Sequence, residues 1–169
     1  MSIERLADFC SDSILQRRTA VIIVLQRVTH SKVIVDNTII AAIDVGLLAL
    51  VCAEPTDDQS SIDWLANKVC KIRVFSDSHG KMGLSLLDSP TVQLLLVPQF
   101  TLAASFLRGN RPSFSSAAQP ELGRQWFAAL QQACAKILNR PVSCGEFGAN
   151  MHVELCNQGP ATFILSSPR

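Results

Sequence analysis

The side chains that most often carry hydrolysis show no catalytic arrangement in this sequence. The chain has no Gly-x-Ser-x-Gly and no His-Glu-x-x-His segment, and none of its three histidines lies in a nucleophile or metal motif. His152 and Glu154 share a face of an expected strand, a spacing that a solvated polar pair explains. Nothing adjacent to Cys144 or Cys156 would activate a thiolate. The pattern therefore identifies no side-chain catalyst.

Residues that shape the backbone stand out instead, at the ends of two apolar strands. The segment 98–102, Pro-Gln-Phe-Thr-Leu, directly follows the apolar run 92–97. The segment 157–162, Asn-Gln-Gly-Pro-Ala-Thr, directly follows the expected strand 151–156. Taken alone, each segment is typical of a turn, because Asn, Gly and Pro are the commonest turn formers.

Helical periodicity appears three times. Residues 1–19 have apolar residues at roughly helical spacing and predict an appended amphipathic helix. Apolar residues at i, i+3, i+4, i+7 and i+8 predict a helix over about 60–72. A third helix is predicted from Pro120 to about Asn139, where Pro141 follows. We expect the last two helices to pack on the core.

The remaining segments read as strands, about nine in all. The first four, at 21–28, 32–36, 38–43 and 47–53, suggest an antiparallel meander, and the last three, at 142–147, 151–156 and 161–165, close the sheet. The predicted fold class is α+β: a mostly antiparallel, barrel-like curled β-sheet with two core helices packed on it. We expect residues 20–169 to form a single domain behind the N-terminal helical extension.

Composition sets the class of protein. The chain has 169 residues, 48% of them hydrophobic, which suffices for a core without metal or disulfide staples. The net charge of +1 excludes a broadly basic nucleic-acid coat but allows a local phosphate contact. Its longest apolar run, 45–53, is shorter than the ~18 to 20 residues of a membrane span. Acidic residues near the N-terminus argue against a signal peptide or a transit peptide, so we expect a cytosolic location.

Several motifs, in order, identify a family resemblance. From Val21 onward the chain resembles the D-aminoacyl-tRNA deacylases (D-tyrosyl-tRNA deacylases). The motifs are Val24-Leu25-Gln26-Arg27-Val28, Gly46-Leu47-Leu48, Gly80-Lys81-Met82, Gln99-Phe100-Thr101-Leu102, Gly109-x-Arg111-Pro112-Ser113-Phe114, Phe147-Gly148-Ala149-x-Met151 and Asn157-x-Gly159-Pro160-x-Thr162. The resemblance implies a hydrolase that cleaves the ester between a D-amino acid and tRNA and needs no cofactor or metal.

The resemblance also implies how such an enzyme selects its substrate. The Gly159-Pro160 bond is expected to be cis, and each subunit of a homodimer is expected to insert this dipeptide into the other subunit's active site. Asn157, Thr162 and Met151 are expected to complete the substrate-binding residues. A rigid backbone there would exclude L-side chains and admit many D-residues and glycine, so glycyl-tRNA mischarged on alanine tRNA is an expected second substrate.

The catalytic residues implied by the resemblance are Gln99, Phe100 and Thr101. Backbone amides of Phe100 and Thr101 are expected to stabilise the oxyanion, Gln99 to shape the pocket, and the substrate's ribose 2′-hydroxyl to assist proton movement. Thr101 as a nucleophile is an alternative, although no base lies beside it in the sequence. A further set is expected to contact tRNA phosphates: Arg111, Arg108 and Lys81.

Three departures from the family pattern leave alternatives open. Pro98 stands where the family has serine, and a Pro-Gln pair resembles a related branch that removes L-alanine from non-cognate tRNA. That branch predicts a trans Gly159-Pro160 bond. Gly83 replaces a usual asparagine, and Phe106-Leu107 replaces a usually polar pair. A second alternative is a non-catalytic dimer that binds nucleic acid.

Overall fold

The structure, a computed structural model, describes residues 21–107 and 109–167. The described chain forms eight strands, two α-helices and one 3-10 helix. In chain order these are β1 (Ile22–Val35), β2 (Thr38–Ile43), β3 (Gly46–Cys52), α1 (Gln59–Lys71), β4 (Phe75–Ser76), β5 (Met82–Leu84), β6 (Gln93–Pro98), the 3-10 helix Phe100–Ala103, α2 (Pro120–Leu138), β7 (Ser143–Cys144) and β8 (His152–Ser166). The expected N-terminal helical extension, 1–19, lies outside the described residues.

The long strand β1 organises the sheet. Its first half pairs antiparallel with β3, its second half pairs antiparallel with β2, and β8 pairs with it along the other edge. The predicted division of 21–36 into two strands, and the meander, are therefore wrong. Register shifts in these pairings bend the strand without breaking it, so one strand serves both parts of a curled sheet.

The sheet is mixed, which the sequence analysis did not predict. Strands β3 and β6 are parallel, and so are β6 and β7. Parallel neighbours need long crossover connections, and the two helices lie in these connections. The α+β class and the curled sheet with two packed helices are confirmed. Among the strands described, the antiparallel pairs are those of β1 with its neighbours and the small β4–β5 pair.

Both helices lie close to their predicted positions because the local end signals are strong. Helix α1 begins after Asp58, whose Oδ1 accepts a hydrogen bond from the Ser61 N–H at 2.8 Å. Helix α2 has Pro120 in its first turn and ends at Asn139, which has the left-handed φ of 51°. These caps fix the helix ends, and the buried faces then pack against the sheet.

Apolar side chains lie on both faces of the central strands. Leu47 and Leu96 belong to the core between the sheet and the two helices. Leu48 and Leu95, one position away, belong to a second cluster on the opposite face, with Val28. Alternation along a strand sends neighbouring side chains to opposite faces, so the continuous apolar runs of β3 and β6 reflect burial on both sides.

The segment 157–162 is a bulge within β8 and not a turn between two strands. Gln26 pairs with Thr162 and Val28 with Asn157, so the four residues 158–161 oppose Arg27 alone. The expected cis Gly159-Pro160 bond is wrong, because the described chain contains no cis peptide bond. Gly159 instead supplies the change of direction with a φ of 117°, which glycine adopts readily, and trans is the default even before proline.

Within the described residues, no helix has both the length and the apolar character needed to cross a membrane.

Candidate functional site

A cavity of about 280 Å³ opens at the carboxyl ends of the parallel strands β3 and β6. Crevices at this end of parallel strands are common ligand sites. Its walls come from these strand ends, from the first halves of both α-helices, and from the start of β8 with the segment before it: Val51, Cys52, Ala53, Ile62, Val97, Pro98, Gln99, Phe100, Ala118, Gly123, Trp126, Phe127, Phe147, Gly148, Ala149, Asn150, Met151 and Val153. The wall is largely apolar, with a few polar groups at the strand ends.

Three sequence-predicted residues meet at this cavity: Gln99, Phe100 and Met151. The Gln99 N–H donates to the Val51 carbonyl at 2.7 Å, which extends the β3–β6 pairing by one residue beyond Pro98. Gln99 then leaves the strand with φ −146° and ψ 76°, and the 3-10 helix begins at Phe100. The strand end therefore fixes where the Gln-Phe-Thr segment starts.

The side chains of this segment are held by each other. Gln99 Nε2 donates to Thr101 Oγ1 at 2.6 Å. Thr101 does not line the cavity itself, and Phe100 is 57% exposed although it forms part of the wall. The N–H groups of Phe100 and Thr101 are the first two of the 3-10 helix and have no acceptor within it.

Met151 reaches the cavity because Gly145 has no side chain. A Cβ on Gly145 would lie 2.8 Å from Met151 Sδ and 3.5 Å from Pro98 Cδ. The Gly145 N–H also donates to the Leu96 carbonyl at 2.8 Å, which holds this segment against β6. Met151 and Pro98 therefore pack side by side over a glycine.

The second set of predicted residues, Asn157, Gly159, Pro160 and Thr162, lies in the β8 bulge and does not line the cavity. Asn157 Nδ2 donates to the carbonyls of Arg27 and Ala161, each at 3.2 Å. The half-buried amide thus ties the two ends of the bulge to β1. Gly159 and Pro160 are exposed at its tip.

Arg27 supports the bulge from β1. Its Nη1 donates to the Val74 carbonyl at 2.5 Å and its Nε to the Gln158 carbonyl at 3.4 Å. A Cβ added at Gly159 would lie 2.8 Å from Arg27 Nη2. The guanidinium therefore fills the space under the bulge and connects it to the loop before β4.

The bulge and the cavity of one chain are far apart on the sheet. Strand β8 itself reaches the cavity at Val153, and the Gly159-Pro160 tip of the bulge lies six and seven residues further along that strand. The rise of a strand gives a separation of roughly 20 Å measured along the sheet. One chain therefore does not bring both sets of predicted residues together.

The thiol in the cavity wall is not activated. Burial raises the pKa of Cys52 to about 11, and the negative charges of Glu54 and Asp57 act in the same direction against a backbone hydrogen bond that lowers it. Burial likewise raises the pKa of Cys144, opposed by the Gln131 side chain. Neither cysteine supplies a thiolate near neutral pH.

The cationic residues expected to contact tRNA are only partly described. Lys81 and Arg111 are exposed, whereas Arg108 lies outside the described residues. Gly83, a departure from the family pattern, lies beside the first of these loops, where a Cβ would come within 2.5 Å of Asp77 Oδ2. Glycine is therefore the residue that the loop geometry accommodates at position 83.

Sequence reasoning missed three residues of these sites. It gave no role to Arg27, whose position beneath the bulge depends on the pairing of β1 with β8. It gave no role to Trp126, which lies within the predicted helix from Pro120, and quoted Phe147 only as part of a motif, yet both line the cavity. Arg124 lies over the Phe147 ring at 5.0 Å, so the ring is held between the cavity and a cation. Helical phase alone could not show that the face of α2 near Trp126 borders an opening.

Comparison with known proteins assigns the family. The model of the family described as D-Tyr-tRNA(Tyr) deacylase matches residues 24–166. A D-aminoacyl-tRNA deacylase of Ectopseudomonas mendocina is 51% identical over 145 residues, covering 85% of this chain and 97% of that protein. Another from Francisella tularensis subsp. tularensis is 47% identical over 140 residues, covering 83% and 95%.

Two solved structures share the fold. The structure of a protein named c-Myc DNA Unwinding Element Binding Protein is 33% identical, with a TM-score of 0.81 over 88% of this chain and 99% of that chain. A probable eukaryotic D-amino acid tRNA deacylase is 13% identical and shares the fold, with a TM-score of 0.77 over 87% and 99%. The predicted resemblance is thus confirmed, and the chain belongs to the D-Tyr-tRNA(Tyr) deacylase family of hydrolases.

Proposed function

We propose that this protein removes D-amino acids from tRNA by hydrolysing the ester to the terminal ribose, and that the cavity at Gln99 and Phe100 receives the aminoacyl-adenosine end. The observation that carries the proposal is the cavity at the Gln-Phe-Thr segment of a chain that belongs to this family. The largely apolar wall, with Phe100, Trp126 and Phe147, suits a flat purine base. Proofreading of charged tRNA implies a cytoplasmic location.

Catalysis would depend on main-chain donors. The N–H groups of Phe100 and Thr101 begin the 3-10 helix without intrahelical acceptors and are the donors for the developing oxyanion. Gln99 fixes Thr101 through the bond of 2.6 Å, and an amide cannot act as a base for a threonine nucleophile. A bound water therefore attacks the activated ester, and the ribose 2′-hydroxyl assists proton movement.

Selection by handedness would require a second subunit. The Gly159-Pro160 tip is exposed and lies roughly 20 Å along the sheet from its own cavity, so in a homodimer it would enter the cavity of the other subunit. Its main chain would exclude an L-side chain and admit D-residues. Glycine has no side chain to exclude, so glycyl-tRNA mischarged on alanine tRNA would also be cleaved.

A second candidate is supported by two observations. The Gly159-Pro160 bond is trans, and Pro98 stands at the strand end beside the cavity, both as expected for the related branch that removes L-alanine. In that case the tip would leave more room on the L-face of the substrate. The family of the curated relatives favours D-aminoacyl substrates over this candidate.

One assay separates these functions. Purified protein is incubated with tRNA charged with D-Tyr, L-Tyr, Gly or mischarged L-Ala, and loss of the ester is followed. Release of D-Tyr and Gly with L-Tyr spared is the expected result. Release of L-Ala alone supports the second candidate. No release, with retained binding of tRNA or DNA, would support a nucleic-acid-binding dimer, and one structural relative is itself named as a DNA-binding protein.

A further inference from the structure

An exposed row of phenyl rings extends from the mouth of the cavity. Phe100 lines the cavity, and its ring centroid lies 5.1 Å from that of Phe114 in an edge-to-face arrangement. Phe100 is 57% exposed and Phe114 is 37% exposed. The pair therefore has one end at the proposed substrate site and one end in water.

Local strand pairing adds a third ring. Ser105 and Ser113 form an isolated antiparallel bridge with both backbone hydrogen bonds, at 2.8 and 2.9 Å. In extended backbone, the residues that directly follow two bridge partners, here Phe106 and Phe114, fall on the same face as diagonal neighbours, a spacing of about 7 to 8 Å. Phe106 is 60% exposed. Phe100, Phe114 and Phe106 thus make one row, which we call the aromatic row.

The segment that carries the aromatic row contains no acidic residue: from Gln99 to Gln119 the sequence has no aspartate or glutamate. Arg111, within this segment, is exposed. Exposed aromatic rings beside cationic residues are the usual surface for unpaired nucleotides, because bases stack on the rings and phosphates pair with the cations.

We infer that the aromatic row binds the unpaired nucleotides that precede the terminal adenosine of tRNA. This inference rests on the proposed function: with the adenosine in the cavity, the chain of tRNA must leave through the mouth, where Phe100 lies. The two cytidines before the adenosine would then stack along Phe114 and Phe106. Stacking is tolerant of base identity, so the row contributes affinity for the 3′ end and little sequence selection.

The test compares D-tyrosyl esters of adenosine and of the trinucleotide C-C-A, using the full chain. The variant Phe106→Ala should lower the ratio of kcat/KM for the trinucleotide ester to that for the adenosine ester by about tenfold, mainly through KM. Phe106→Trp should restore the ratio, because an indole stacks on bases. Leu107→Ala is the matched control: this neighbouring apolar residue is 92% exposed, lies outside the row and should leave the ratio within about twofold.

Equal losses on both esters, or no loss on either ester, would overturn the inference. The first result would assign Phe106 a purely structural role, and the second would leave the row to another partner, such as a protein. Binding of uncharged C-C-A, measured by fluorescence, gives a readout that needs no turnover. If the wild type bound C-C-A through Phe106 but cleaved neither ester, the proposed function would fail while the row would still bind nucleotides.

Discussion

Gly159→Ala tests whether the β8 bulge is built on a glycine conformation and a close arginine. The φ of 117° is unfavourable for alanine, which costs about 1–3 kcal/mol. The new Cβ would lie 2.8 Å from Arg27 Nη2, so the guanidinium must shift and weaken its bond to the Val74 carbonyl. A hydrogen bond from a charged donor contributes about 1.5–3 kcal/mol. We expect the unfavourable backbone angle and the weakened Arg27 hydrogen bond to lower the free energy of unfolding by about 3 kcal/mol in total.

Denaturant unfolding followed by fluorescence measures this loss, and hydrolysis of D-tyrosyl-tRNA measures its effect on activity. Gly109→Ala is the matched control, because Gly109 has a similar φ of 104° but nothing within 4 Å of an added Cβ. The Gly109→Ala variant should lose only the free energy of unfolding that an alanine at this positive φ costs. If Gly159→Ala were no less stable than Gly109→Ala, the close contact with Arg27 would not constrain the bulge, and our reasoning about it would be refuted.

Three further predictions follow from single contacts. Asn157→Asp keeps the side-chain shape but loses both donors that tie the bulge to β1, so unfolding should become easier by about 2 kcal/mol, with slower ester hydrolysis, by the same two assays. Hydrogen bonds from the Ser61 N–H and the Ser60 hydroxyl lower the pKa of Asp58, so the stability that its carboxylate contributes is present above the unfolded-state pKa and is lost as pH falls through the folded-state pKa. Asp58→Ala should therefore lower the melting temperature at pH 7 and flatten the decline of the melting temperature below pH 4. Asp58→Asn should retain more of the stability that the helix cap provides. Burial raises the pKa of Cys52 to about 11, so the stability that its neutral thiol contributes is full below the unfolded-state pKa and is lost as pH rises toward 11. Cys52→Ser should remove this alkaline fall in the free energy of unfolding, and an unchanged pH profile would contradict the prediction.

The helices and one site segment were predictable because their signals are local. Asp58, Pro120 and Asn139 mark helix ends through bonds or backbone angles within a few residues. Pro98 ends β6 for a similarly local reason, since the chain departs from the sheet at Gln99. Gln99, Phe100 and Met151, which the family motifs single out, line one cavity, and their catalytic and substrate-binding roles stay predictions.

The strand pairings depended on contacts that local patterns do not encode. The run 92–97 predicts a buried strand, but not that it pairs parallel with β3 and with β7. Likewise, Asn157 and Gly159 are typical of a turn, and only the pairing of β8 with β1 makes the segment a bulge inside one strand. A turn and a bulge use the same residue types, so the partner strand decides between them.

The sequence by itself determined the family, the α+β class, the two core helices and the segment that shapes the cavity, because motifs, helix caps and alternation act over short distances. Tertiary structure alone decided the mixed sheet, the bulge within β8 and the position of Arg27 beneath that bulge. It also placed Phe106 beside Phe114 through the Ser105–Ser113 bridge. Each of these depends on residues distant in sequence meeting in the fold, and their energies become favourable only when the sheet closes.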